Sequence, residues 1–181
     1  IDMVINIGEL KAGNEQYLLD EIKAIKAACG EKILKVIIET CLLTEAEKIT
    51  MCKIVSAAGA DYIKTSTGFS TAGATREDVA LMRANVAPQT KVKAAGGVRN
   101  LKSCLAMLEA GAERIGCSCS VAIAEEYKKC DDLIVELSGK KAEFFRPPFI
   151  SINDTVYNTI KVPFVCGKAC MDWDPNYGEE Y

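Results

Sequence analysis

Residues 61–70, DYIKTSTGFS, place an ammonium group inside a segment that otherwise has the composition of a packed strand. Tyr62 and Ile63 suit a pleated, half-buried surface. Thr65, Ser66, Thr67 and Gly68 then turn polar and tight. Burial disfavours the charge of a lysine, so Lys64 at this point requires either a partner or a use.

Outward from this stretch the same unit recurs. Apolar, β-branched runs lie at 1–7, 33–40, 61–67, 91–95 and 114–119. Between them, 15–28, 45–58, 76–85 and 101–109 carry helical periodicity. "AACGEK", "SAAGAD" and "LEAGAE" each put glycine just past a helix end, and Thr44 and Thr75 stand where N-caps belong. Strand and helix alternating every 23 to 32 residues or so predicts parallel βαβ units, with strands covered on both faces. The fold class is α/β. Periodicity alone leaves open a doubly wound sheet or part of a (β/α)8 barrel.

Composition narrows the chemistry. The 181 residues are 49% hydrophobic and carry a net charge of -3, which gives no reason to expect a nucleic-acid partner. No apolar run reaches the length of a membrane span, and no membrane partner is expected. The chain opens on Ile1, as a fragment or processed product would. Nine cysteines without a CxxC pair read as reduced thiols of a cytoplasmic protein. There is no histidine, so acid–base work falls to Lys, Asp, Glu, Tyr or Cys.

Polar residues punctuate the strands: Asp2 in the first, Lys35 and Glu39 in the second, Lys64 in the third, Lys93 in the fourth and Ser118 in the fifth. Ligands of parallel α/β folds gather at the carboxyl ends of strands. A lysine beside another cation in a dry pocket becomes a neutral amine nucleophile more readily. The blander reading is a set of salt-bridged strand-end lysines, with Asp2 neutralising Lys93 or Lys35. Glycine turns at Gly68, Gly96, Gly97 and Gly116 offer backbone N–H groups to an anion; each alone also serves a tight turn.

"DMVINIGELKAGN", "LKVIIET", "DYIKTSTGF", "VKAAGGVR" and "AERIGCSCS" together resemble the deoxyribose-phosphate aldolase family over residues 1 to about 121. The resemblance implies strands four to eight of a (β/α)8 barrel and a class I aldolase with no cofactor. The reaction implied is reversible cleavage of 2-deoxyribose 5-phosphate to acetaldehyde and glyceraldehyde 3-phosphate. By the same resemblance Lys64 forms the Schiff base, the charge of Lys93 keeps it reactive, and Asp2 joins the proton relay. The phosphate of the sugar is expected on backbone groups of Gly68, Gly96, Gly97, Ser118 and Cys119. A homo-oligomer or a missing N-terminal half is the expected partner.

After Tyr127 the composition shifts, and the chain is expected to divide into 1–124 and 125–181. "CDDLIVELSGKKAEFFRPPFISINDTVYNTI" and "CMDWDP" resemble the C-terminal part of NodB-type polysaccharide deacetylases. That family's metal ligands have no counterpart in a chain without histidine, so no metal and no deacetylase activity are expected. The tail is expected to extend or partly close the barrel. Two alternatives stand beside the aldolase reading: an inactive phosphate-binding remnant, and a chimeric fragment with a non-functional deacetylase tail.

Overall fold

The computed structural model describes residues 1–138. Five strands form one sheet, all parallel, in the order β1-β2-β3-β4-β5. They are β1 (Asp2–Val4), β2 (Lys35–Ile37), β3 (Tyr62–Lys64), β4 (Lys91–Ala95) and β5 (Arg114–Gly116). Helices α1 (Ile7–Lys11) and α2 (Glu15–Cys29) follow β1, and α3 (Glu45–Ala57) follows β2 after a short 3-10 turn at Thr40–Leu42. Helices α4 (Arg76–Asn85), α5 (Leu101–Glu109) and α6 (Ser120–Ser138) follow the last three strands.

Register decides the architecture that periodicity left open. Met3, Val36, Ile63 and Val92 are neighbours across the sheet, and so are Ala94 and Ile115; all share one face. On that face Val36, Ile63 and Val92 pack with Leu18 and Ile22 of α2, Met51 and Val55 of α3, Val79 and Met82 of α4 and Met107 of α5. Burying one such side chain contributes roughly 1.5–3 kcal/mol, so this face holds the layers together. The other face carries Asp2, Lys35, Tyr62 and Lys91 in one row and Ile37, Lys64, Lys93 and Arg114 in the next. A doubly wound sheet has helices on both faces and reverses its strand order. One helical layer outside sequential parallel strands is instead five eighths of a (β/α)8 barrel, with the charged face as its lumen.

This corrects the expectation of strands apolar on both faces. The strands alternate, with methyl groups toward the helices and amines toward the lumen. The helices begin and end as their sequences indicate. Thr44 and Glu47 form a complete capping box on α3, and the Thr75 hydroxyl accepts from the Asp78 N–H on α4. Thr44→Ala is expected to cost about 1 kcal/mol, read as a lower urea midpoint at unchanged slope.

Gly111, past α5, has φ 105°, and a Cβ there would stand 2.6 Å from Arg83 Cγ. The glycine therefore admits Arg83, which donates to Glu113 at 2.8 Å and to the carbonyl of Thr90 at 3.2 Å. Glu113 also accepts from the Val92 N–H, tying the start of β5 to β4. Helix α6 runs without interruption through residues 124 and 125. The expected pairing of the tail with the sheet edge falls on residues beyond 138, outside the described residues.

Candidate active site

The three candidate catalytic side chains arrive from β1, β3 and β4. Lys64 is the last residue of β3, and Lys93 lies beside it in register on β4. Both point into the lumen because they share the parity of Tyr62 and Lys91. Asp2 reaches across β2. One of its oxygens takes a hydrogen bond from Lys64 Nζ at 3.2 Å, and the other takes one from Lys35 Nζ. Asp2 thus neutralises Lys35 and Lys64, and Lys93 has no ion-pair partner among the described residues.

The electrostatics follow from this arrangement. Burial alone raises the Asp2 carboxyl, but hydrogen bonds and charge from Lys35 and Lys64 outweigh it and hold Asp2 below its ordinary value. Burial, and next the neighbouring ammonium of Lys64, push Lys93 below the ordinary lysine value; Asp2 opposes that shift, and Lys35 and Arg114 add to it. Glycine on β5 leaves space for Lys93: a Cβ at Gly116 would lie 3.0 Å from Lys93 Cε, a tight contact that the lysine would have to yield to. Arg114 stacks its guanidinium 5.4 Å from the Tyr62 ring centroid, which holds that charge over the lower row of the lumen.

Above the lysines opens a cleft of about 480 Å3. Lys64 and Lys93 form its floor, and Gly68, Gly96, Gly97 and Ser118 form its wall. The backbone N–H groups of Gly68, Gly96, Gly97 and Ser118 have no acceptor among the described residues. Gly68, Gly96 and Gly97 have φ of 96°, 80° and 78°, a region that only glycine enters cheaply. The cleft brings together six of the eight residues singled out from the sequence. Asp2 touches it through Lys64, and Cys119 does not line it; the Cys119 thiol instead donates to the Val98 carbonyl at 3.4 Å.

Sequence reasoning missed Gly73. A Cβ there would fall inside the carbonyl group of Gly96, and the adjacent Ala74 N–H donates to the carbonyls of Ala95 and Gly96 at 3.1 and 3.0 Å. The loop after β3 therefore docks directly on the glycine turn after β4. Gly73→Ala is expected to cost about 1–3 kcal/mol and to loosen that turn, seen as a lower urea midpoint. Of the two ion pairs the sequence offers Asp2 in the blander reading, the one with Lys35 forms and the one with Lys93 does not; Asp2 and Lys35 are register partners on neighbouring strands.

The family model described as DeoC/LacD family aldolase matches residues 1–125. The chain belongs to this family. Among curated relatives of this aldolase family, the deoxyribose-phosphate aldolase of Streptococcus suis (strain 98HAH33) is 59% identical over 123 residues, 68% of this chain and 56% of the relative. That of Brevibacillus brevis is 58% identical over 123 residues, with the same coverage. A solved structure titled as a putative deoxyribose-phosphate aldolase from Coccidioides immitis superposes with a TM-score of 0.68 at 45% identity, over 70% of this chain and 51% of that one. The tetrameric deoxyribose phosphate aldolase from Aeropyrum pernix gives 0.64 at 28% identity, over 71% and 55%. The chain thus spans 56% of the length of these two curated relatives. The match to the aldolase family ends inside α6, and these comparisons do not show the likeness of the tail to polysaccharide deacetylases.

Proposed function

We propose that this chain carries the catalytic side of a class I aldolase that cleaves and forms 2-deoxyribose 5-phosphate. The observation that carries the reading is the pair Lys64 and Lys93 in register on adjacent strands, with Asp2 bonded to Lys64 beneath a cleft walled by free backbone N–H groups. In the condensing direction the neutral Lys64 amine attacks acetaldehyde. The carbinolamine loses water, and the resulting iminium draws electrons from the methyl carbon, which gives up a proton. The enamine attacks the aldehyde carbon of glyceraldehyde 3-phosphate; a carbon–carbon bond forms and the aldehyde oxygen takes a proton. Water then releases the product and restores the amine. Cleavage runs the same steps backward.

Each residue has a part. Proton transfers fall to Asp2, bonded to Lys64, and to Lys93, its register neighbour, since the chain has no histidine. Lys93, in register beside Lys64, supplies the second amine of the pair. Gly68, Gly96, Gly97 and Ser118 receive the phosphate through backbone N–H groups, as helix N-termini and turn N–H groups receive anions elsewhere; Cys119, expected with them, does not line the cleft and is given no part. No cofactor is required by this chemistry. The strands β1 and β5 end the described sheet, so full activity is proposed to depend on further barrel units or on a homo-oligomer closing those edges.

Residues 1–124 are proposed as the aldolase unit and 125–181 as an appended piece of deacetylase ancestry without that activity. Cytoplasmic residence is part of the same proposal; no helix among the described residues is long and apolar enough to cross a membrane. The test is reductive trapping. Acetaldehyde followed by borohydride should leave an ethyl group on Lys64 Nζ, located by peptide mass spectrometry. Modification spread evenly over the surface lysines would sink the reading.

A further inference from the structure

We propose that Glu39 is a positioning residue that sets the wall of the cleft at residues 67–69. Glu39 lies two residues past β2 and is 4% exposed. Its backbone is left-handed, with φ 55° and ψ 65°, and it is the one non-glycine residue with positive φ among the described residues. A strained backbone beneath a buried acid persists only where surrounding contacts hold it. Here the shortest of those contacts are with Thr67, beside a longer one from the Cys41 thiol to Oε1 at 4.0 Å. The Thr67 N–H donates to both Glu39 oxygens at 3.3 Å, and the Thr67 hydroxyl donates to Oε2 at 2.5 Å.

The chain of bonds continues toward the cleft. The Thr67 hydroxyl accepts the Phe69 N–H at 3.1 Å. Gly68, between them, keeps an N–H with no acceptor among the described residues. Glu39 itself does not line the cleft, whereas Thr67, Gly68 and Phe69 do. Phe69 is 96% exposed, so burial does not hold this segment in place. The carboxyl group of Glu39 therefore occupies the donors of Thr67 and leaves the N–H of Gly68, in the wall of the cleft, unpaired among the described residues. The inference rests on the anion reading of the cleft and adds the residue that fixes its geometry.

The test uses the full 181-residue chain as wild type, Glu39→Gln and Glu39→Leu. Inorganic phosphate is titrated while the Gly68 amide is followed by NMR, and acetaldehyde–borohydride trapping at Lys64 is measured alongside. Glu39→Leu is expected to weaken phosphate binding about tenfold, and Glu39→Gln only about two- to threefold, because a Gln oxygen still accepts the Thr67 hydroxyl. Trapping at Lys64 is expected to match wild type in both. Unchanged phosphate affinity in Glu39→Leu, a Gln variant no better than the Leu variant, or no phosphate response at Gly68 in the wild type would overturn the proposal. Trapping lost in step with phosphate affinity would overturn it too.

If all three chains fail to trap acetaldehyde while phosphate affinity follows the expected order, the aldolase reading falls and the role of Glu39 stands. Should Glu39→Leu not fold, Thr67→Val takes its place. Adding Glu39→Gln to Thr67→Val is then expected to weaken phosphate no further, and additive losses would count against the proposal.

Discussion

Replacing Lys64 with alanine is expected to abolish the trapped acetaldehyde adduct and to lower the proposed cleavage rate by on the order of 10⁴-fold or more, about 5 kcal/mol of barrier. The expectation follows from what an iminium does. Without it, loss of a proton from the methyl group of acetaldehyde builds a carbanion that only a neutral carbonyl can stabilise. With it, the electrons flow into a positively charged nitrogen. None of the neighbouring groups substitutes. Lys35 is tied to Asp2, and Lys93 reaches out over Gly116 of β5. Lys64→Arg is expected to be equally inactive, since a guanidinium stays protonated and offers no free electron pair. The measurement is mass spectrometry of the reduced adduct together with the rate of acetaldehyde release. An alanine variant that still forms the adduct at one lysine would move the nucleophile elsewhere in the lumen.

Lys93→Leu is expected to have two effects of opposite sign. Activity falls by on the order of 10²-fold, about 2.7 kcal/mol, through loss of a proton-transfer group and of the cation beside Lys64. Stability at neutral pH rises, because burial, and then repulsion from Lys64, disfavour the Lys93 charge in the folded chain. A gain on the order of 1 kcal/mol moves the unfolding midpoint of a chain this size up by about 2–4 °C.

The pH dependence has a definite direction. Lys93 is lowered on folding, so above its folded pKa the unfolded chain binds more protons, and stability rises with pH until the unfolded pKa is passed. Below the folded pKa both states are protonated and the penalty is constant. The advantage of the leucine variant is therefore largest at neutral pH and shrinks as the pH climbs toward the ordinary lysine value. Asp2 is lowered as well, and its contribution is present above the ordinary carboxylate value and lost as the pH falls through the folded pKa. Urea unfolding of wild type and Lys93→Leu at several pH values checks the sign. A leucine variant less stable than wild type at neutral pH contradicts the account of a disfavoured charge.

In the proposed mechanism the site sacrifices stability for reactivity, and the two faces of its sheet differ accordingly. The helix-facing side of the sheet is apolar, with Val36, Ile63 and Val92 fully buried. The lumen-facing side sets Lys35, Lys64, Lys93 and Arg114 on four neighbouring strands, with Asp2 on a fifth. A sheet chosen for stability alone would not hold so many cations on one face.

Much of this was legible in the chain itself. The βα repeat, the glycine helix stops and the Thr44 and Thr75 caps depend on interactions within a few residues, and local sequence carries them. Lys64, Lys93 and the glycine turns stood out because a charged side chain or a run of glycine inside a strand conflicts with the local pattern. The period-two alternation that marks the lumen was also present, but its short strands look apolar until neighbours are laid side by side. What the tertiary structure alone decided is which partners meet. Asp2 bonds Lys64 across 62 residues of chain, and Gly73 docks on Gly96 after the chain has passed through α4 and β4. Glu39 takes a left-handed turn to hold Thr67, 28 residues on. Such contacts depend on the register and curvature of the parallel strands, and no window of neighbouring residues contains either quantity.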